Sequence, residues 1–125
     1  LLAELTGSRY AIDLSMEEGF QILLYDLKKK TTTDIAMAST SERFRVGIVL
    51  QAVLSELAGL RFMIIDGIDI LDQANKGFFF DFLQKAMPLF DQIIALGTIG
   101  QIAPRNPGIP GIDFFLLDEG KITRI

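Results

Sequence analysis

The chain contains no cysteine, no histidine and no tryptophan. That excludes thiol catalysis, Cys-ligated zinc and disulfides. It also excludes the Ser-His-Asp triad, His-held metals and the usual neutral-pH proton shuttle. Chemistry must therefore come from carboxylates, hydroxyls, backbone amides, Lys or Arg. Asp66 is the first such group, because it ends the apolar run Arg61-Phe62-Met63-Ile64-Ile65-Asp66. A carboxylate there stands at the carboxyl edge of a buried strand, where open α/β sheets bind ligands, and it can hold Mg2+ through water. It can equally cap the turn into the next helix. The second group is Ser39-Thr40-Ser41-Glu42, which has the capping-box form Ser-x-x-Glu. Hydroxyls and free amides at the positive end of a helix dipole make an anion site, with Arg43 and Arg45 adding charge nearby. A plain helix cap with solvated arginines explains the same residues. The third group is an ordered series: Asp69, then Asp72, then Gly97-Thr98 at the end of a second apolar strand.

Elements must hold these groups in place. With 125 residues, half of them hydrophobic and 22% charged, the chain has material for one domain with one core. Its net charge of -4 lacks the basic footprint of a stand-alone nucleic-acid binder. Lys28-Lys29-Lys30 is the only dense basic run, fitting either contact with DNA phosphate or a solvated hairpin end. No apolar stretch reaches the roughly 18 residues of a membrane span, so no membrane partner is expected.

Leu1 to Leu5 reads as the end of a helix. Tyr10 to Leu14 and Phe20 to Asp26 read as an antiparallel hairpin over 10–26. Thr31 to Ala38 reads as a connection without a clear period. A helix is expected at about 41–58, with Val46, Val49, Leu50, Val53, Leu54 and Leu57 as its apolar stripe and Gly59 closing it. The run 61–66 suits a strand buried on both faces of a parallel sheet. A second helix fits Gln73 to Met87, with Phe78, Phe79, Phe82, Leu83 and Met87 inward and Pro88 at its end. Gln92 to Leu96 is a further buried strand, completing a βαβ unit. Gly100 to Gly111 is a Pro- and Gly-rich loop, and 112–125 closes as a hairpin. The expected class is α/β: mostly parallel buried strands, flanking helices, and a β-hairpin at each end.

The order of these features resembles the C-terminal lobe of an ABC-type ATPase head, a partial P-loop NTPase fold. The likeness is closest to the SMC/RecN/SbcC-like branch and covers nearly the whole chain. Ala38-Ser39-Thr40-Ser41-Glu42 stands where the family has Leu-Ser-Gly-Gly-Glu, with Arg43 to Leu54 as the helix behind it. Met63-Ile64-Ile65-Asp66 matches the Walker B strand, with Gly67 where the catalytic Glu is expected. Leu71-Asp72 matches the end of the D-loop, and Gln92 to Thr98 the last core strand and switch loop. The resemblance implies that residues 1–9 end a coiled coil, that 39–98 carry the motifs, and that an N-terminal lobe with the phosphate loop lies upstream.

The resemblance further implies ATP and Mg2+ as cofactors, both only with that N-terminal lobe. A second head is the implied dimer partner, with DNA engaged through the full-length protein in a cytoplasmic role in repair, recombination or chromosome maintenance. Asp66 would hold the magnesium shell. Ser39, Thr40, Ser41, Glu42, Asp69 and Asp72 would be the cofactor-binding positions: Ser39 and the Ser41 amide would touch the γ-phosphate of a partner-bound ATP, and Asp69 and Asp72 would line the dimer seam. Gly67 and Thr98 would occupy the catalytic positions. Several residues depart from the family pattern. Thr40 and Ser41 replace both signature glycines, and Gly67 brings no carboxylate to orient water. Thr98-Ile99 offers no switch histidine, and Gly-x-x-x-x-Gly-Lys-Ser/Thr is absent from the chain. A second expectation follows, a degenerate, non-hydrolysing lobe used for assembly or regulation. A third is an unrelated α/β binding domain, which a direct Ser39–Asp66 hydrogen bond would favour.

Overall fold

The computed structural model describes residues 7–98 and 105–125. The expected coiled-coil end therefore falls mostly outside the described residues, as does part of the Gly100 to Gly111 loop. The chain begins with an antiparallel meander of β1 (Tyr10–Ser15), β2 (Gln21–Asp26) and β3 (Thr31–Asp34). Pairing runs from Tyr10↔Asp26 to Ser15↔Gln21, and from Leu23↔Asp34 to Asp26↔Thr31. The third strand corrects the reading of Thr31 to Ala38 as a connection without a clear period. Three β-branched threonines suit a pleated edge, but they show no polar–apolar alternation to reveal it. Asp26 builds the turn between β2 and β3. Its Oδ1 accepts from the Lys28 and Lys29 amides at 2.9 and 3.0 Å, and its Oδ2 accepts from Arg9 Nη2 at 2.8 Å.

The long helix α1 (Thr40–Leu57) starts on the expected capping box and ends in a Schellman motif. There the Gly59 amide bonds the Glu56 carbonyl and the Leu60 amide bonds the Ser55 carbonyl. Its buried face is Arg45, Val46, Ile48, Val49, Ala52 and Ser55. The expected stripe is therefore wrong in its second half, because Val53, Leu54 and Leu57 are exposed. Ala52 and Ser55 are small enough to let the helix lie close to the core, and the leucines on the far side stay in water.

The strands β4 (Phe62–Asp66) and β5 (Gln92–Leu96) form a parallel pair in the register Phe62↔Gln92 to Asp66↔Leu96. The helix α2 (Gln73–Ala86) makes the crossover. Along β4 only Met63 and Ile65 are buried, while Phe62, Ile64 and Asp66 are exposed. The strand is thus covered on one face, not on both as expected. Helix α2 buries Phe79, Phe82, Leu83 and Ala86. Phe78 lies one residue, about 100°, off that face and is 36% exposed. A 3-10 turn, Met87–Leu89, carries Pro88 and leads to buried Phe90.

The last strands, β6 (Phe115–Asp118) and β7 (Lys121–Arg124), form an antiparallel hairpin. Its two-residue turn has positive φ at Glu119 and Gly120, the form that matches strand twist. The Phe114 ring meets Phe80 of α2 with centroids 6.0 Å apart. The described residues form a mixed α/β structure of small sheets and two long helices. Strands are mostly antiparallel rather than parallel, since only β4 and β5 run the same way among the described residues. One core draws on β1, β2, α1, β4, α2 and β5, with Phe79, Phe82, Met63, Leu71 and Val46 fully buried.

The meander's anchor makes a pH prediction. The Arg9 guanidinium, against the opposing effect of burial, holds the Asp26 carboxyl at about 2 instead of 3.8. A lowered carboxyl pKa stabilises the fold above the unfolded value and ceases to do so as pH falls through the folded one. The contribution is therefore complete above 3.8 and lost as pH drops through about 2. Denaturation midpoints measured from pH 5 to pH 2 should fall less steeply in Asp26→Asn than in the wild type.

Candidate functional site

The parallel pairing brings two strand ends together. Asp66 ends β4 opposite Leu96, with Gly97 and Thr98 following directly. The Gly67 amide bonds the Leu96 carbonyl at 3.0 Å, extending the ladder by one step. The chain then turns sharply. Gly67 has φ 88° and ψ 33°, a left-handed conformation that costs residues with a Cβ about 1–2 kcal/mol. A 3-10 turn follows at Ile68–Ile70, and Leu71 plugs the core.

The three carboxylates on this stretch have different duties. Asp72 caps α2, accepting from the Asn75 amide at 2.8 Å and from Asn75 Nδ2 at 2.9 Å. Asp69 accepts from the Thr98 amide at 3.1 Å, and that bond holds its carboxyl below the usual range. Gly97 makes this approach possible, because a Cβ there would lie 2.5 Å from Ile68 Cγ1. Asp66 is exposed, and no described group hydrogen-bonds its carboxylate. It lies at one end of a shallow groove of about 290 Å3 lined by Phe44, Gly47, Gln51 and Ile64. Gln51 Nε2 donates to the Ile64 carbonyl at 2.9 Å across that groove.

The start of α1 is more tightly built than its motif suggests. Ser39 Oγ accepts from the Glu42 amide at 3.3 Å, and Glu42 Oε2 accepts from the Ser39 amide at 2.8 Å. Glu42 Oε1 also accepts from the Tyr10 hydroxyl at 2.7 Å. Burial pushes the Glu42 carboxyl up, but the bonds from Tyr10 and Ser39 outweigh it and the net shift is down. Burial and the Glu42 bond together push the Tyr10 phenol up to about 12. At the two positions where the resemblance has glycine, the side chains behave differently. Ser41 Oγ is buried with no partner among the described residues, whereas Thr40 is exposed. Of the two, only Thr40 brings a side chain to the outer surface of the helix start.

Arg45 is buried, which corrects its reading as a solvated or anion-facing charge. Its Nε donates to the Ser41 carbonyl at 3.2 Å and its Nη1 to Asn75 Oδ1 at 2.9 Å. Its guanidinium also lies 5.7 Å from the Tyr10 ring centroid. Burial lowers its pKa from the ordinary value. Sequence reasoning missed Tyr10, Arg45 and Asn75 as members of this cluster. The spacing Arg45, Ile48 and Val49, Ala52 places Arg45 on the buried face of α1, and that was the available signal.

Ser39 and Asp66 do not bond each other, since Ser39 is engaged with Glu42. The described residues contain no group of three or more acids that could hold a metal unaided. Mg2+ keeps several waters and takes one or two carboxylates beside substrate phosphates. The exposed Asp66 carboxylate, unbonded among the described residues, fits that donor set. Among the described residues, no helix is long and apolar enough to cross a membrane. The chain matches no model of a known protein family and no curated protein.

Two sets of thermal melts check this geometry. Gly97→Ala should cost about 1–3 kcal/mol, as overpacking against Ile68 does, and should free the Thr98 amide from Asp69. Ser39→Ala should cost about 1 kcal/mol through loss of the cap. Ser41→Ala should be neutral or stabilising by about 1 kcal/mol, because it removes a buried hydroxyl without a partner. An equal cost at Ser41 and Ser39 would contradict the inward, unbonded placement of Ser41.

Proposed function

We propose that this chain is the C-terminal lobe of an SMC/RecN/SbcC-like ATPase head of the P-loop NTPase superfamily. It contributes a signature motif and a Walker B strand to ATP-dependent head dimerisation in DNA repair, recombination or chromosome maintenance in the cytoplasm. The observation carrying the reading is the exposed Asp66 carboxylate, without a hydrogen-bond partner among the described residues, at the end of a strand paired in parallel with the one that leads into Gly97 and Thr98. Asp69 and Asp72 have structural duties nearby, and Asp66 has none among the described residues.

Mg2+ would neutralise charge on the phosphates of ATP. Asp66 would hold its water shell from this lobe, and the upstream lobe would supply the phosphate loop. Ser39 and the Ser41 amide would face the γ-phosphate of the other head's ATP. No described group bonds the Thr40 or Ser41 amides, which suits that role. Asp69 and Asp72 would lie along the dimer seam, with Thr98 at the switch position. The exposed Val53, Leu54, Leu57, Leu60, Phe62 and Ile64 agree with a lobe whose sheet continues into another. DNA would be met by the full-length protein, and the exposed Lys28 to Lys30 turn offers it charge with no ion-pair partner among the described residues.

One observation favours a second reading, a non-hydrolysing lobe for assembly or regulation. Gly67 stands where the catalytic Glu is expected, and its left-handed backbone disfavours any residue with a Cβ. Installing a carboxylate there would not by itself put it in line with an attacking water.

Sedimentation of the full-length protein with and without MgATP tests the proposal. ATP should drive head association, and Asp66→Asn should weaken it about tenfold or more, as loss of a shell-orienting group does. Absence of any nucleotide-dependent association in the wild type would overturn the reading. Turnover then separates the two versions. Hydrolysis abolished by Asp66→Asn supports an active head, and association without hydrolysis supports the degenerate one. Gly67→Glu should not raise turnover in either case, because the left-handed backbone there disfavours a side chain.

A further inference from the structure

Two helix starts that no sequence motif connects are joined inside the protein by one side chain. The start of α1 holds Ser39 to Glu42, and the start of α2 holds Asp72 to Asn75. Arg45 reaches both. Its Nε bonds the carbonyl of Ser41 in its own first turn, and its Nη1 bonds Asn75 Oδ1 thirty positions along the chain. Asn75 passes the contact on, because its Nδ2 and backbone amide both donate to Asp72 Oδ1. From the other side, the Tyr10 ring packs near the Arg45 guanidinium while its hydroxyl bonds Glu42.

A guanidinium with 7% of its residue surface exposed must be hydrogen-bonded to remain charged inside a protein. Its planar fork also fixes direction: the two bonds cannot both be kept if either helix start rotates. Surface charge would not need such an arrangement, and Arg43, two residues earlier, is exposed.

We propose that Arg45 is a positioning residue that locks the Ser39–Glu42 and Asp72–Asn75 helix starts into one rigid surface. A partner meeting either start then meets both in fixed relation. The locking stands on the geometry alone, and its consequence for a second ATPase head rests on the function proposed above. Tyr10 and Glu42 complete the lock from the meander side, so β1 shares in setting the angle at which α1 begins.

Hydrogen exchange on the full-length protein, resolved by peptide, tests the lock without reference to ATP. Asn75→Ala should speed exchange in residues 39–43 about tenfold, the effect of losing one charge-assisted hydrogen bond, although Asn75 lies on another helix. Asn75→Asp keeps an acceptor for Arg45 but sets a second carboxylate against Asp72 in place of the Nδ2 donor, so it should loosen residues 72–76 and leave residues 39–43 near the wild-type rate. Arg45→Lys cannot span both partners and should loosen both helix starts while β6 and β7 exchange unchanged. If Asn75→Ala loosens only residues 72–76, the lock is refuted. It is equally refuted if Asn75→Ala and Asn75→Asp loosen residues 39–43 alike. Should Arg45→Lys fail to fold, the two Asn75 variants still decide.

ATP-driven association of the same variants provides the second arm. Asn75→Ala should weaken it about tenfold, and Asn75→Asp, which keeps the Arg45 bond, should weaken it less. Unchanged association in Asn75→Ala would overturn the consequence for the partner. Exchange behaving as stated, with no nucleotide-dependent association in the wild type, supports the lock and overturns the ATPase reading.

Discussion

Two parallel strands cannot be joined by a tight turn; the chain must cross over and return to the same edge. The candidate site depends on that constraint. Because β4 and β5 are parallel, α2 has to lie between them in sequence and pack back against the sheet. The crossover buries Phe79, Phe82 and Leu83 with Met63 and Ile65 in one core. It also brings the carboxyl end of β4 beside that of β5. Asp66 and Leu96, thirty residues apart, become partners for this reason. Gly97 permits the loops after both strands to touch, and Asp69 ties them by accepting from the Thr98 amide.

A second constraint is electrostatic. The fold places one cation, Arg45, inside itself and surrounds it with a carbonyl, an amide oxygen and an aromatic face. Glu42 is drawn inward too, held by Tyr10 as well as by its own capping box. The helix start that resembles an anion-binding signature is therefore already buttressed from within. The Thr40 and Ser41 amides, unbonded among the described residues, sit on a surface whose shape is determined by buried bonds. Ser41 follows the same logic, with its hydroxyl turned inward rather than into the space a ligand would use.

Much of the fold was legible because local physics dominates there. The Ser39–Glu42 box, the Gly59 closure and the two-residue Glu119-Gly120 turn each depend on residues within a few positions of one another. The strand Gln92–Leu96 and the helix from Gln73 appear where hydrophobic runs and periodicity put them. Strand β3 did not, because three threonines carry no alternation and its partner is β2. The apolar stripe of α1 misled in its second half, since periodicity identifies a face but not which face meets the core. Ala52 and Ser55 gave the closer approach, and Leu54 and Leu57 were left outside.

By itself the sequence determined the chemical alphabet: no thiol, no imidazole, an Asp ending an apolar strand, and a capped helix start. Those follow from composition and short-range spacing. Only the tertiary structure decided which of these groups is free to act. Asp66, Asp69 and Asp72 are equivalent as letters. They differ once Thr98 and Asn75 arrive from distant parts of the chain to bond two of them. Likewise Arg43 and Arg45 differ only in which side of one helix the core occupies. The physical reason is common to both cases: a polar group's role is set by the partners that folding brings to it, and those partners lie outside any local window of sequence.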